Sequence, residues 1–289
     1  MPNQEVKEYL SRVGIRKIPE LDTALRETFG EEEGSRHIKT LSVLYDRAEA
    51  QLYFGNGSSP YLRRQEELVD YFNTNTELSV LASSFYDRVF FRKAMDYLVG
   101  MDRYFIGDIL DIGCGNGILS GFLAFRHPAL SVTGTDCSGS ALSVAREISE
   151  RMKPENISFR LPDALRGNCC DTLVSCRTFH ENVRWKPLCE TKNGESPSLK
   201  ELTALHTDFA MQLSGLVRPD GYLVSIERYE DDSAYAGMIQ ALEGAGFLRV
   251  RGTHQQFSCK NGDEMATFQA NVFARRKGGD IEKNNWTLS

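Results

Sequence analysis

Three glycines at alternate positions carry the clearest chemical meaning in this sequence. Gly113, Gly115 and Gly117 lie in LDIGCGNGILS, which follows an apolar strand-like stretch and opens a helix-like one. Glycine lets the main chain turn tightly and lets a ligand approach it closely. The helix that follows offers unpaired N–H groups and a positive dipole end, which suit an anionic group. The spacing therefore predicts a ligand-binding loop between a strand and a helix.

A dinucleotide is one ligand for such a loop, but the spacing disfavours it. The G-x-G-x-x-G fingerprint of NAD-binding proteins would place its third small residue at Ile118, whereas the third glycine comes one residue earlier. Asp111, just before the glycines, adds a carboxylate that would repel a pyrophosphate and attract an α-ammonium group. This combination favours a nucleoside that carries an amino acid.

The segment from Asp111 to Gly117 resembles motif I of the class I S-adenosylmethionine-dependent methyltransferases, an acidic residue followed by G-x-G-x-G. Further elements follow in the order typical of that family. Asp136 ends the second strand in VTGTDCS, and Asp163 follows the third in RLPDAL. CDTLVSCRTFHENV resembles the fourth-strand segment, and GLVRPDGYLVSIE resembles the lead-in to the fifth strand. The resemblance covers about Ile106 to Arg276.

The resemblance implies S-adenosylmethionine as the methyl donor and S-adenosylhomocysteine as the product. It puts Asp136 on the ribose hydroxyls, Asp163 at the adenine, and the end of the fourth strand beside the methyl sulfonium. The expected cofactor-binding residues are Asp111, Gly113, Cys114, Gly115, Asn116, Gly117, Asp136, Cys137, Ser138, Asp163, Ala164, Cys176 and Arg177. From the residues alone, Asp136 and Asp163 could each instead cap a helix.

His180 and Glu181 are the candidates for catalysis. Histidine accepts protons near neutral pH, and His180 comes just after the fourth strand, close to where the methyl group should point. Glu181 would orient it; the alternative is that His180 only lines the site. Glu227 and Arg228 at the end of the fifth strand are weaker candidates. Only Glu181 supplies a carboxylate near the fourth strand, so no metal is expected.

The pattern of apolar residues predicts an α/β fold with an N-terminal helical cap. Residues 1–104 read as helices rich in aromatic side chains, including a continuous helix over Leu78 to Leu98. Strands and helices then alternate, which predicts a Rossmann-like, seven-stranded, mostly parallel sheet closed by an antiparallel hairpin. The expected division is a cap or substrate region at 1–104, an S-adenosylmethionine-binding methyltransferase domain at 105–277 and a polar tail at 278–289. A long loop, 182–197, would lie at the ligand-binding edge.

Composition narrows the function. The net charge is −6 and the isoelectric point is near 5.5, which disfavours a nucleic-acid partner. No apolar run is long enough to span a membrane, and the N-terminus lacks a secretory pattern. The odd count of seven cysteines, without metal-site spacing, suggests reduced thiols in the cytoplasm.

The first hypothesis is an enzyme that methylates an O, N or C atom of a small-molecule acceptor by in-line displacement. A protein methyltransferase and a non-catalytic S-adenosylmethionine-binding scaffold are the alternatives. A nucleic-acid methyltransferase ranks below them, because the Asn-Pro-Pro-Tyr type of motif is absent at the fourth strand. Assembly is left open, with a homodimer as one option.

Overall fold

A computed structural model describes residues 4–54, 67–179, 197–229, 231–261 and 264–276. Its centre is one sheet with the strand order β3-β2-β1-β4-β5-β8-β6, and β7 pairs with β8. Strands β1 to β5 are mutually parallel, and β8 is antiparallel to β5. The bounds are β1 Asp108–Ile112, β2 Ser131–Thr135, β3 Ile157–Arg160, β4 Cys170–Cys176, β5 Val217–Arg228, β6 Phe247–Arg249, β7 Gln255–Asn261 and β8 Glu264–Arg275. The predicted Rossmann-like α/β fold is confirmed.

The sheet has eight strands where seven were expected. The first arm of the expected closing hairpin, LRVRGTHQQFS, is not one strand but is divided between β6 and β7. Gly252 between them has a φ of 75°, a left-handed conformation that interrupts an extended chain. Both short strands pair with the long strand β8, β6 near its end and β7 along its first half. The antiparallel closing hairpin is therefore present as β7 and β8.

The helices cover both faces of the sheet. Their bounds are α1 Gln4–Arg12, α2 Leu21–Phe29, α3 Glu31–Phe54, α4 67–72, α5 Thr76–Ala82, α6 Arg88–Gly100, α7 Ile118–Arg126, α8 Gly139–Glu150, α9 Leu199–Leu216 and α10 Asp232–Gly244. Alternate residues of the strands face opposite sides. Ile109 of β1 joins the apolar cluster that includes α1, α6, α7 and α8, whereas Leu110 joins the cluster with α9 and α10.

The N-terminal helices belong to two apolar clusters. Helices α1 and α6 are part of the main core: the Tyr9 hydroxyl donates to the Ile118 carbonyl (2.8 Å), and the rings of Phe90 and Phe268 lie 4.6 Å apart. Helices α2, α3, α4 and α5 share a separate cluster centred on Leu25 and Leu78. This second group of helices is the part of the N-terminal region that can act as a cap.

The helix expected over Leu78 to Leu98 is interrupted. Between α5 and α6, residues Ser83–Asp87 form a π-helical turn, which we call the π-turn. A π-helical turn holds one extra residue and often occurs at functional sites. The expected periodicity was correct on either side, but apolar spacing does not reveal such an insertion.

Several expectations fall on residues outside the described ranges. They include most of the loop 182–197, the tail 278–289 and residues 55–66 of the expected helical cap. Within the described residues, no helix combines the length and the apolar character that crossing a bilayer requires. No disulfide bond joins the cysteines of the described ranges. In the same part of the chain, no three His, Cys, Asp or Glu side chains are grouped to hold a metal ion.

Candidate active site

The glycine loop connects β1 to α7 at the carboxyl edge of the sheet. Gly113, Gly115 and Gly117 have φ values of 67°, 52° and 73°, which favour glycine. Two main-chain hydrogen bonds fold the loop: Cys114 N donates to the Thr135 carbonyl and Gly117 N to the Cys114 carbonyl, both at 2.9 Å. The loop thus lies between β1 and β2, at the N-terminus of α7.

The three glycines are needed for different reasons. A Cβ atom on Gly113 would lie 2.1 Å from Thr178 Cγ2, and one on Gly117 would lie 2.7 Å from Ala145 Cβ. Around Gly115 no heavy atom of the described residues lies within 4 Å of such a Cβ. Close packing therefore excludes a side chain at Gly113 and Gly117, while Gly115 faces open space that a ligand can enter.

Asp136 connects the second strand to the glycine loop. Its Oδ2 accepts a hydrogen bond from Gly115 N (2.8 Å) and its Oδ1 accepts one from Ser138 N (2.9 Å). The cap of helix α8 is Ser138, whose hydroxyl accepts from Ala141 N, so Asp136 is not the helix cap. Each carboxylate oxygen has two lone pairs, which leaves acceptor capacity for ribose hydroxyls.

Asp111 lies beneath the loop and is 1% exposed. The Ser120 hydroxyl donates to its Oδ2 at 2.5 Å. Burial disfavours the charged carboxylate and raises the pKa of Asp111 to about 7, which the Ser120 hydrogen bond only partly opposes. The carboxyl group can therefore carry or release a proton close to neutral pH.

The raised pKa of Asp111 leads to a prediction about stability. Between about pH 4 and pH 7 the folded protein holds a proton on Asp111 that the unfolded chain has lost, so stability falls as pH rises. Asp111→Asn keeps the hydrogen bond to Ser120 and cannot ionise. We expect the free energy of unfolding of the wild type, relative to Asp111→Asn, to decrease by up to about 4 kcal/mol across that window. Urea titrations at several pH values measure it, and a flat difference would contradict the prediction.

The side chains of Cys114 and Asn116 are held by protein groups. Cys114 packs against the small apolar cluster of Leu142 and Phe159. Asn116 Nδ2 donates to the hydroxyls of Ser79 (3.0 Å) and Ser83 (2.8 Å). The Cys114 side chain and the Asn116 Nδ2 group are therefore already engaged by the protein, and the predicted cofactor contact of these two residues stays a prediction.

The residues expected near the adenine lie at the surface. Asp163 and Ala164 belong to a single 3-10 turn, Pro162–Ala164, and both are exposed, as is Cys137. No side-chain hydrogen bond caps this turn, so Asp163 is not a helix cap. Ser138, between Asp136 and α8, is half-buried. These positions provide a surface next to Asp136 rather than a closed pocket.

The fourth strand ends in a tight turn, which we call the β4 turn (residues 176–179). Cys176 is buried, and Arg177 adopts a φ of 64°, unusual for a residue with a side chain. Its guanidinium group pairs with Asp87 of the π-turn (2.8 Å) and lies over the ring of Phe90 at 5.2 Å. His180 and Glu181, the predicted catalytic residues, follow this turn but lie outside the described residues.

Glu227, at the end of β5, is fully buried beneath the β4 turn. Its Oε1 accepts from the hydroxyls of Ser175 (2.6 Å) and Thr178 (3.4 Å), and its Oε2 accepts from Phe179 N (3.1 Å). The sequence marked Glu227 as a weaker candidate for catalysis than His180. The structure instead places it inside the protein, bonded to the turn.

The sequence predicted an N-terminal cap but not the residues through which it contacts the ligand-binding edge. Ser138 and Ser140 donate to Asp70 of α4 at 3.2 and 3.4 Å. Together with the bonds from Asn116 and Arg177, these reach three of the predicted cofactor segments. Residues 67–87 therefore lie across the carboxyl edge of β1, β2 and β4. In the sequence of residues 67–87, these contacts are signalled only by polar residues that interrupt the apolar pattern of the helices.

Residues 109–189, which run from β1 past the end of β4, match the family model described as a methyltransferase domain. This stretch is a methyltransferase domain. The predicted methyltransferase is therefore supported, for this stretch of the chain, by the family model.

The methyltransferase domain resembles several known proteins. Release factor glutamine methyltransferase of Chlorobaculum tepidum is 30% identical over 165 residues, which are 53% of this chain and 54% of that protein. Ribosomal RNA large subunit methyltransferase G of Vibrio parahaemolyticus is 26% identical over 98 residues, 30% of this chain and 26% of that protein. The chain thus spans about half or less of the length of these curated relatives.

Among solved structures, magnesium protoporphyrin IX methyltransferase from Synechocystis PCC 6803 with bound SAM aligns with 90% of this chain and 99% of that chain. The TM-score is 0.44 and the sequence identity is 15%.

Proposed function

We propose that this protein transfers a methyl group from S-adenosylmethionine to a small organic molecule held beneath the N-terminal helices. The observation that carries the proposal is the glycine loop, open at Gly115 and tied to Asp136, with residues 67–87 lying across the same edge. The proposed division remains a cap or substrate region at 1–104, a methyltransferase domain at 105–277 and a tail at 278–289.

In this proposal the methyltransferase domain binds the cofactor in three parts. The glycine loop takes the amino-acid end, with Asp111 acting from beneath it, and Asp136 takes the ribose hydroxyls. The exposed surface of Cys137, Ser138, Asp163 and Ala164 takes the adenine. Cys176 and Arg177 then lie beside the sulfonium. Support comes from the spare acceptor capacity of Asp136 and from the open space around Gly115.

The bound cofactor supplies an electrophilic methyl group on a sulfonium, which leaves as the neutral thioether of S-adenosylhomocysteine. The protein's task is then to align the acceptor atom with the methyl carbon and to exclude water, and such positioning can supply roughly 7 to 11 kcal/mol. His180 would accept the proton that an O–H or N–H acceptor loses, with Glu181 orienting its ring. A change of His180 to Gln should lower turnover without weakening cofactor binding.

The composition of the cap favours a small and partly aromatic acceptor. Phe72, Phe85 and Tyr86 form a chain of ring contacts at 6.1 and 4.8 Å, and the hydroxyl groups of Tyr45 and Tyr86 are hydrogen-bonded. Burial raises the pKa of Tyr86, which keeps its hydroxyl neutral and able to donate. Aromatic rings pack well against flat apolar ligands, and neutral hydroxyl groups can orient them.

A radiolabelled methyl group tests the proposal. The purified protein would be incubated with labelled S-adenosylmethionine and with three separated extracts: a small-molecule filtrate, total protein and total RNA. We expect label in a product from the filtrate only. Label in protein or in RNA would overturn the small-molecule proposal and would favour a macromolecular acceptor of the labelled kind. Cofactor binding without transfer to any extract would favour the scaffold.

Three further parts of the proposal concern the setting of the enzyme. We place it in the cytoplasm, in keeping with cysteines that are not joined by disulfides in the described ranges. We propose no nucleic-acid partner, because the net charge is −6. A homodimer remains one option for its assembly, and light scattering at working concentration would decide between monomer and dimer.

A further inference from the structure

The buried carboxylate of Glu227 has an unusual set of partners. It accepts hydrogen bonds from the side chains of Ser175 and Thr178 and from the main-chain N–H of Phe179. All three donors belong to the end of β4 or to the β4 turn. A buried carboxylate is costly unless hydrogen bonds compensate it, and bonds to a charged group are among the stronger ones. Glu227 therefore links the end of β5 firmly to the turn beside it.

The β4 turn needs such support. Arg177 lies in the left-handed region, and strain of this kind persists only where the surroundings enforce it. Thr178 packs against the main chain of Gly113, since a Cβ at Gly113 would lie 2.1 Å from its methyl group. Phe179 is fully buried between β4 and α9 and directly precedes His180. The β4 turn thus contacts the glycine loop through Thr178, and in the sequence it is followed directly by the predicted catalytic residue.

We propose that Glu227 is the positioning residue that holds the β4 turn, and with it Thr178, against the glycine loop. The inference rests on the proposed function, since it assigns Glu227 to the same site. Glu227 has no exposed surface, so it does not itself touch the acceptor. Its effect passes through Thr178 of the β4 turn to the glycine loop.

Two substitutions at position 227 distinguish the role of the length of the side chain from the role of its charge. Glu227→Gln keeps the length: its Oε1 can accept from Phe179 N, and its NH2 can donate to the Ser175 hydroxyl, which can also accept. Glu227→Asp keeps the charge but is one methylene shorter, so it loses contact with the turn. A positioning role predicts that Gln is tolerated and Asp is not, whereas a role in proton transfer predicts the reverse.

Hydrogen exchange of the cofactor-free protein is the first measurement, with S-adenosylhomocysteine binding as the second. In Glu227→Asp we expect the Phe179 amide to exchange at least about tenfold faster and the affinity for S-adenosylhomocysteine to fall about tenfold. In Glu227→Gln both should stay within about threefold of the wild type. Amides at the far end of β5, residues 217–223, should be unchanged in both variants.

Ser225→Ala is the matched control. Ser225 is equally buried on the same strand, and its hydroxyl has no hydrogen-bond partner within the described part of the chain. The proposal is overturned if Glu227→Asp leaves the Phe179 amide protected, if Gln is as damaging as Asp, or if Ser225→Ala has the same effect. Failure of the wild type to bind S-adenosylhomocysteine would instead count against the proposed function, and the exchange comparison would still stand.

Discussion

Asparagine at position 136 is expected to weaken S-adenosylhomocysteine binding about 100-fold or more while the protein stays folded. The Asp136 carboxylate accepts main-chain hydrogen bonds from Gly115 and Ser138 with separate oxygens. An asparagine can accept only one of them, because its NH2 group would face the other N–H. The loop would then lose its tie to β2, and the ribose would lose a charged acceptor. Calorimetric titration of the wild type and of Asp136→Asn measures the effect.

Asp171→Asn is the control for this experiment. Asp171 also accepts from a main-chain N–H, that of Asp108 at 2.8 Å, but it lies where β4 begins, at the opposite edge of the sheet. Its substitution should leave S-adenosylhomocysteine affinity unchanged. If Asp136→Asn binds the ligand as tightly as the wild type, the ribose is held elsewhere. Equal loss in both variants would mean that the measurement reports on stability rather than on the site.

Alanine at Gly117 should destabilise the protein by about 3 kcal/mol or more. The φ of 73° is unfavourable for a residue with a Cβ, and this atom would lie 2.7 Å from Ala145 and 2.9 Å from the ring of Phe159. The core beneath the loop would have to move, because these neighbours are themselves packed. Urea denaturation of the wild type and of Gly117→Ala gives the difference in free energy.

Gly115→Ala is the matched comparison on the same loop. Its φ of 52° carries a similar strain, but no heavy atom of the described residues lies within 4 Å of the new Cβ. We expect a loss of only about 1–2 kcal/mol. S-adenosylhomocysteine affinity should nevertheless fall at least about tenfold, because the added methyl group enters the space that a ligand needs. Unchanged affinity would show that the ligand does not approach Gly115.

The fold was predictable to the extent that local patterns specify it. The alternating strands and helices after the N-terminal region and the closing antiparallel hairpin are present as the apolar runs indicated. Departures occur where one residue changes the local geometry. Gly252 divides one expected strand into two, and the π-turn interrupts one expected helix. Neither change alters the apolar periodicity on which the predictions depended.

The site was predictable where its residues are close in sequence. The glycine loop and Asp136 come together as their motifs implied, because the parallel pairing of β1 and β2 brings Gly115 N within hydrogen-bond distance of the Asp136 carboxylate. The contacts of Asp70, Ser79 and Asp87 with this edge span between 37 and 90 residues. No local pattern encodes such distant pairings. Glu227 was noticed for its position at a strand end, but its burial depends on how β4 and β5 pack together.

The π-turn fixes an angular register between two halves of one long helical segment. Ser83 is the first residue of the π-turn, and its hydroxyl accepts a hydrogen bond from Asn116 of the glycine loop. Asp87 is the last residue of the π-turn, and its carboxylate pairs with Arg177 beside β4. Each residue of a regular helix advances the side chains by about 100° around the axis. Removal of a single residue between them would restore an uninterrupted helix but rotate Asp87 away whenever Ser83 stayed in place. The extra residue therefore lets one helical segment direct Ser83 to the glycine loop and Asp87 to Arg177, although these two partners lie in different directions around the helix axis.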